Sequence, residues 1–300
     1  MTKKTRNWLI ALLSIPGVII LAVVGLLIFN AARPLPPLQP LPNPNGYDDF
    51  VKAGQMVVSN VWNYDKMEEA ELRTTVQSNS NALQFARNGL QKECRVTLDY
   101  SPTLGTHFSQ LMDMKRLAQA LAAEGRLADM ENRPGDAVKS YLDAVRLGNK
   151  SACGGILIDQ LVGIAIKAIG TSHLQKLIDQ LDAKSCRETA ATLETLDTQG
   201  QTWDEVMQQE RAWSYRTFTS LRYELVRLTM RNTLNKNLKI AEEKFKKQEM
   251  KTRQLLIDLA SHAYELNKGH RPASLADLVP DYLKAIPQDP LTGKNMVYSP

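Results

Sequence analysis

Only 6% of the 300 residues are aromatic, three are cysteine, and the segment from Gln201 to Lys268 contains neither glycine nor proline. Scarce aromatics, together with long tracts of Ala, Leu, Gln, Glu, Lys and Arg, favour helix over sheet on propensity, and predict a mostly α protein. The sequence also lacks most of the short motifs that carry chemistry. There is no HExxH and no i,i+4 histidine pair, so metal-protease chemistry has no ligands. A GxSxG elbow is missing, and a Ser-His-Asp set is recognised by geometry that a sequence does not display. No glycine-rich loop cradles a phosphate, and no CxxC or Cys/His cluster has zinc spacing. His107, His173, His262 and His270 lie far apart on different elements. His262 and His270 flank a tail hinge, where surface or satisfied histidines are expected. Cys94, Cys153 and Cys186 permit one disulfide and a leftover thiol, or three small buried thiols, and their spacing does not choose a pairing.

What is present begins with "WLIALLSIPGVIILAVVGLLIF", residues 8–29, without a charge. As a helix at about 1.5 Å per residue these residues reach roughly 33 Å, enough for a bilayer core of about 30 Å. The expectation is an uncleaved membrane anchor, since the apolar run exceeds the usual signal-peptide core and "FNAARP" is a poor cleavage site. Lys3, Lys4 and Arg6 precede the run and only Arg33 follows closely, which places the N-terminus in the cytoplasm and the rest beyond the inner membrane. The net charge of +5 includes those three cytoplasmic cations, so the exported part is mildly basic and nucleic acid is not an expected partner.

The organisation read from the chain is a cytoplasmic stub over 1–7, a transmembrane helix over 8–29, a Pro-rich linker over 30–45, a helical domain over 46–235, and a helix with a C-terminal clip over 236–300. "RPLPPLQPLPNPNG" cannot join a helix interior and predicts a semi-rigid stalk. After it, Asp48 or Asp49 is placed to start a helix with Phe50, Ala53, Val57 and Val61 on one face, and a further helical stretch is interrupted at "SNSN". Residues 108–148 read as a helical hairpin turning at "NRPGD". The spacing of Gly125, Ala137, Tyr141 and Ala144 resembles one tetratricopeptide (TPR) unit, without a second copy. Residues 155–182 are apolar enough for a buried central helix, and Asp159 and Lys167 make them unfit as a second span. Weak helix formers in "RNTLNKN", 231–237, predict a break that lets the second half of the long segment fold back. Lys236, Lys244, Lys247, Lys251 and Arg253 then form a solvated helix face, with attraction to anionic lipid as the functional alternative.

The tail "KGHRPASLADLVPDYLKAIPQDPLTGK" is dense in turn signals. Gly269 suits a left-handed cap, Ser274 with Asp277 an N-cap pair for "LADLV", and "NMVYS" a short terminal strand or an extended edge. Leu275, Leu278, Val279, Leu283 and Ile286 are too few to bury one another, and the nearest stripe is Leu255, Leu256, Leu259, Ala263 and Leu266. Asp281 and Asp289 are the only metal-ligand candidates, a thin oxygen set for calcium.

"GHRPASLADLVPDYLKAIPQDPLTGKNMVY" resembles the C-terminal signature of type II secretion pseudopilins and of an uncharacterised group of membrane-anchored proteins from Planctomycetes and related bacteria. "NGYDDFVKAGQMV", "LRTTVQSNSNALQFARNGLQKECRVTLDY", "LAAEGRLADMENRPGDAVKSYLDAVRLG" and "DQLVGIAIKA" look like that second group's successive blocks, in order, after a span and a Pro-rich linker. The prepilin cleavage motif of a true pseudopilin is missing from "MTKKTRNWLIALL". The resemblance implies architecture and an envelope location, and no activity. The sequence thus points to a single-pass, extracytoplasmic helical scaffold or binding module, without cofactor, touching the bilayer through residues 8–29 and meeting an envelope protein partner. The alternatives are a cell-envelope hydrolase or an accessory component of an envelope secretion apparatus.

Overall fold

The computed structural model describes residues 18, 20–25, 28–29, 35, 37–58, 61–100, 105–218 and 220–298, the side chains of 220 and 221 apart. The expected anchor over 8–29 falls largely outside them. Its described residues are helical and exposed, and among the described residues no helix is long and apolar enough to cross a membrane.

The rest is mostly helical. The elements are α1 (Gly46–Met56), α2 (Glu69–Ser78), α3 (Ser80–Leu90), α4 (Gly105–Met130), α5 (Pro134–Lys150), α6 (Leu157–Leu177), α7 (Ala183–Thr198), α8 (Trp203–Thr217), α9 (Ser220–Thr229) and α10 (Arg231–Lys268). No strand forms among the described residues. The expected terminal strand is a single antiparallel bridge between Gln288 and Asn295, closed by the Asp289 N–H to Lys294 carbonyl bond at 2.7 Å.

Local signals decide several boundaries. Asn79 separates α2 from α3 at the "SNSN" step, its side-chain amide donating to the Thr75 carbonyl at 2.8 Å. Helix α1 starts earlier than expected, because Asn45 rather than Asp48 or Asp49 is the cap. The Asn45 side chain accepts from the Tyr47 and Arg95 amides at 3.3 and 3.0 Å and donates to the Arg95 carbonyl at 2.8 Å. The cap therefore also ties the start of α1 to the chain fifty residues on. Gly269 is left-handed at φ 77° and ends α10, and Ser274 and Asp277 make the reciprocal cap of a 3₁₀ turn, Leu275–Leu278.

The break in the long segment lies elsewhere than expected. Residues 231–237 are helical, and the interruptions fall at Phe218, whose backbone is extended, and at Met230. The exposed asparagines cost only a few tenths of a kcal/mol each, too little to end a 38-residue helix whose second half is buried. The Phe218 ring instead turns edge-on to Trp213 at 6.1 Å.

Two hydrophobic clusters share the middle helices. One joins α1, α3, α4, α5 and α6 through Phe50, Leu83, Leu117, Leu121, Leu147 and Ile166. The other joins α2, α4, α5, α6, α7, α10 and the tail, with Leu255, Leu256, Leu259 and Ala263 receiving Leu275, Leu278, Tyr282 and Leu283. The docked clip is thus as expected, except that Leu266 is exposed. The hairpin of α4 and α5 closes on Gly125, where a Cβ would stand 2.5 Å from Tyr141 Cε1. Helices α5 and α6 touch backbone to backbone: a Cβ on Gly163 would lie 2.6 Å from the Gly148 carbonyl oxygen. This contact makes α6 central, though its fully buried face carries Asp159, Gln160, Thr171 and His173 while Leu161, Val162, Ile164 and Ala165 are only half-buried.

Candidate functional site

Three polar arrangements distinguish this helical body. The first is a small cleft of about 40 Å³ where α5, α6, α7 and α10 meet, lined among others by Lys167, Asp197, Gln201, Gln248 and Glu249. The α5–α6 contact builds it, since Lys167 runs past Gly148, where a Cβ would come within 2.6 Å of the lysine Cγ. The side chains of Lys167 and Glu249 have no hydrogen bond or ion pair among the described residues, while Asp197 is held by Arg253 at 2.9 Å. Burial pushes the Lys167 ammonium below lysine's ordinary range, opposed by the Glu249 and Asp197 carboxylates. Burial also raises the Glu249 carboxyl, opposed by Arg253 and Lys167. Gln201 organises one wall, its carbonyl accepting from the Gly154 amide and from Gln160, each at 2.9 Å. By volume the cleft holds roughly three water-sized groups.

The second is an open groove of about 490 Å³ between α2, α3, α4 and α5. Arg87 of α3 spans it, bonding Asp143 at 3.1 Å and both oxygens of Glu124. Ser140 donates to Glu124 at 2.6 Å and Arg146 to Asp143 at 2.9 Å. Cations and anions alternate along α5 and are locked by one another, so the groove offers a patterned surface in fixed geometry.

The third comprises the buried histidines. His107 Nε2 lies 2.8 Å from Asp159 Oδ1, with both side chains essentially inaccessible. The other oxygen of Asp159 accepts from the Ile156 amide at 2.8 Å, and the Tyr47 hydroxyl nearby and His107 Nδ1 have no hydrogen-bond partner among the described residues. His173 stacks on Tyr141 at 4.8 Å and meets the Tyr64 hydroxyl at 2.8 Å. Burial lowers the His173 pKa, opposed by Asp65. These sets lie inside the packing, and His173 Nε2 also comes within 3.6 Å of the carboxylate of Asp65, whose side chain reaches solvent.

The remaining expected positions are not brought together. His262 and His270 stay apart from both, His270 bonding the Arg271 carbonyl at 2.9 Å and packing edge-on to Tyr264. Asp281 is exposed, and Asp289 accepts from the Leu291 amide at 2.7 Å to shape the terminal turn. No group of three potential ligands gathers for a metal among the described residues. Cys94, Cys153 and Cys186 are all free thiols. Burial pushes the thiols of Cys94 and Cys186 up to about 11, which makes them poor nucleophiles. Sequence reading passed over Lys167 as a functional residue, although a lone cation inside "LVGIAIKAIG" was its visible signal.

Comparison with family models, curated proteins and solved structures gives no match.

Proposed function

We propose that this chain is a membrane-anchored, extracytoplasmic helical scaffold that offers the α3–α4–α5 groove to an envelope protein. The observation that carries the reading is the groove itself, in which Arg87, Glu124, Ser140, Asp143 and Arg146 hold one another in place. Such pre-ordering lowers the entropic cost of binding a partner with a complementary charge pattern. The uncharged run over 8–29 and the cations before it support the anchor and its orientation. The resemblance to membrane-anchored Planctomycete proteins and to the pseudopilin tail supports an envelope location. A photoreactive residue at Lys139, on the groove rim, tests the reading in intact cells. It is expected to yield one protein adduct, lost on Arg87→Ala; adducts unaffected by that change, or none, would refute it.

One observation favours a second reading, a cell-envelope hydrolase. Lys167 and Glu249 share a cleft and are shifted in opposite directions, the pattern used for acid and base work at neutral pH. Loss of a hydrolytic activity in both Lys167→Met and Glu249→Gln, with folding intact, would move the assignment there.

A further inference from the structure

Among the exposed large apolar side chains, Leu225, Val226, Leu228, Met230 and Ile240 fall on one short stretch, each between 42% and 53% accessible. This stretch is α9 and the start of α10, and α9 packs chiefly against α8 and α10. Aliphatic side chains displayed together in water are unfavourable, and a concentrated cluster marks a contact surface.

The charge on the same stretch has one sign. Arg222, Arg231, Lys236 and Lys239 are exposed and form no ion pair among the described residues. Glu224, the one acid between 222 and 240, is 2% accessible and already engaged, by Arg227 at 2.8 Å and by the Tyr215 hydroxyl. Beyond it, Glu242 is tied to Lys246 at 2.7 Å, which leaves exposed Glu243 as the nearest unengaged acid on α10. Arg222, Leu225 and Leu228 succeed one another at three-residue spacing and so share one side of α9.

Interleaved aliphatics and unpaired cations are the chemistry of a helix lying in a bilayer interface. The aliphatics enter the acyl boundary, while arginine and lysine stems reach back to lipid phosphates. A nucleic-acid surface would use the cations and leave the leucines unexplained. We propose that residues 222–240 form a peripheral membrane contact selective for anionic lipid, with Leu225, Leu228 and Met230 in the interface and Arg222, Arg231, Lys236 and Lys239 on headgroup phosphates. The contact does not depend on the N-terminal anchor, since it needs only a bilayer within reach.

The test uses the full chain in lipid nanodiscs with a photoreactive residue at Leu228, and the same probe at exposed Lys184 of α7 as reference. With phosphatidylglycerol present, Leu228 is expected to give lipid adducts and Lys184 none. Each cation near an anionic surface is worth about fivefold in affinity, so neutralising Arg222, Arg231, Lys236 and Lys239 to Ser should cut the adduct yield at least tenfold. Pure phosphatidylcholine should do the same. Equal labelling in both lipids, no lipid adduct at Leu228, or crosslinking instead to a protein or a second copy would overturn the proposal. Alkaline carbonate extraction reports on the anchor separately. A chain released by carbonate that still floats with phosphatidylglycerol vesicles would refute the anchor and retain this contact.

Discussion

Lys167 shows how a single residue acquires meaning from its surroundings. Its amine lies among α5, α7 and α10 because Gly148 and Gly163 let two helices touch, and burial then favours its neutral form. A lysine whose folded pKa is lowered binds fewer protons in the folded chain than in the unfolded one, between the lowered value and its usual value near 10.4. Stability from this group therefore rises as pH climbs through that window, and at neutral pH the buried charge is a cost. Lys167→Met is expected to raise stability at pH 7 by about 1 kcal/mol, with the gain shrinking toward pH 10, as read by chemical denaturation at both pH values. A gain that did not change with pH would place the effect in side-chain packing rather than charge.

At the scale of elements, the tail clip carries its own signals. Gly269, Ser274 and Asp277 act over at most a few residues, and this is why the cap and the 3₁₀ turn were readable from the chain. What the clip binds depends on a stripe of α10 and on α7, whose Leu193 and Leu196 join the same cluster. Leu278 is fully buried there. Leu278→Ala is expected to cost about 3 kcal/mol. Hydrogen exchange should show 275–283 opening first while α1–α5 keep their protection. Uniform loss of protection would mean that the clip and the body unfold as one unit. The break between α8 and α10 illustrates the reverse. Asparagine content pointed to 231–237, but the chain turns at Phe218, whose ring packs edge-on to Trp213, and again at exposed Met230.

For the whole molecule, the proposed anchor and the proposed α9–α10 lipid contact predict distinct outcomes. Deleting residues 8–29 is expected to move most of the chain from the membrane pellet to the supernatant. The fraction that remains on anionic vesicles should fall steeply as salt rises from 0.05 to about 0.5 M, where the screening length is only a few ångströms. Full release at low salt would count against the α9–α10 contact, and full retention at high salt against the anchor as the main tether.

By itself the sequence determined the helical class, the hairpin turning at "NRPGD", the "SNSN" step and the tail caps, because each rests on spacing or on side chains acting within one turn. The cleft at Lys167, the Arg87 network and the absence of ion-pair partners, among the described residues, for the cations beside the exposed leucines of α9 and α10 were decided only by the tertiary structure. Each of those depends on which distant helices approach, and on which charges they bring to neutralise one another. Side-chain partners of that kind leave no periodic trace along the chain.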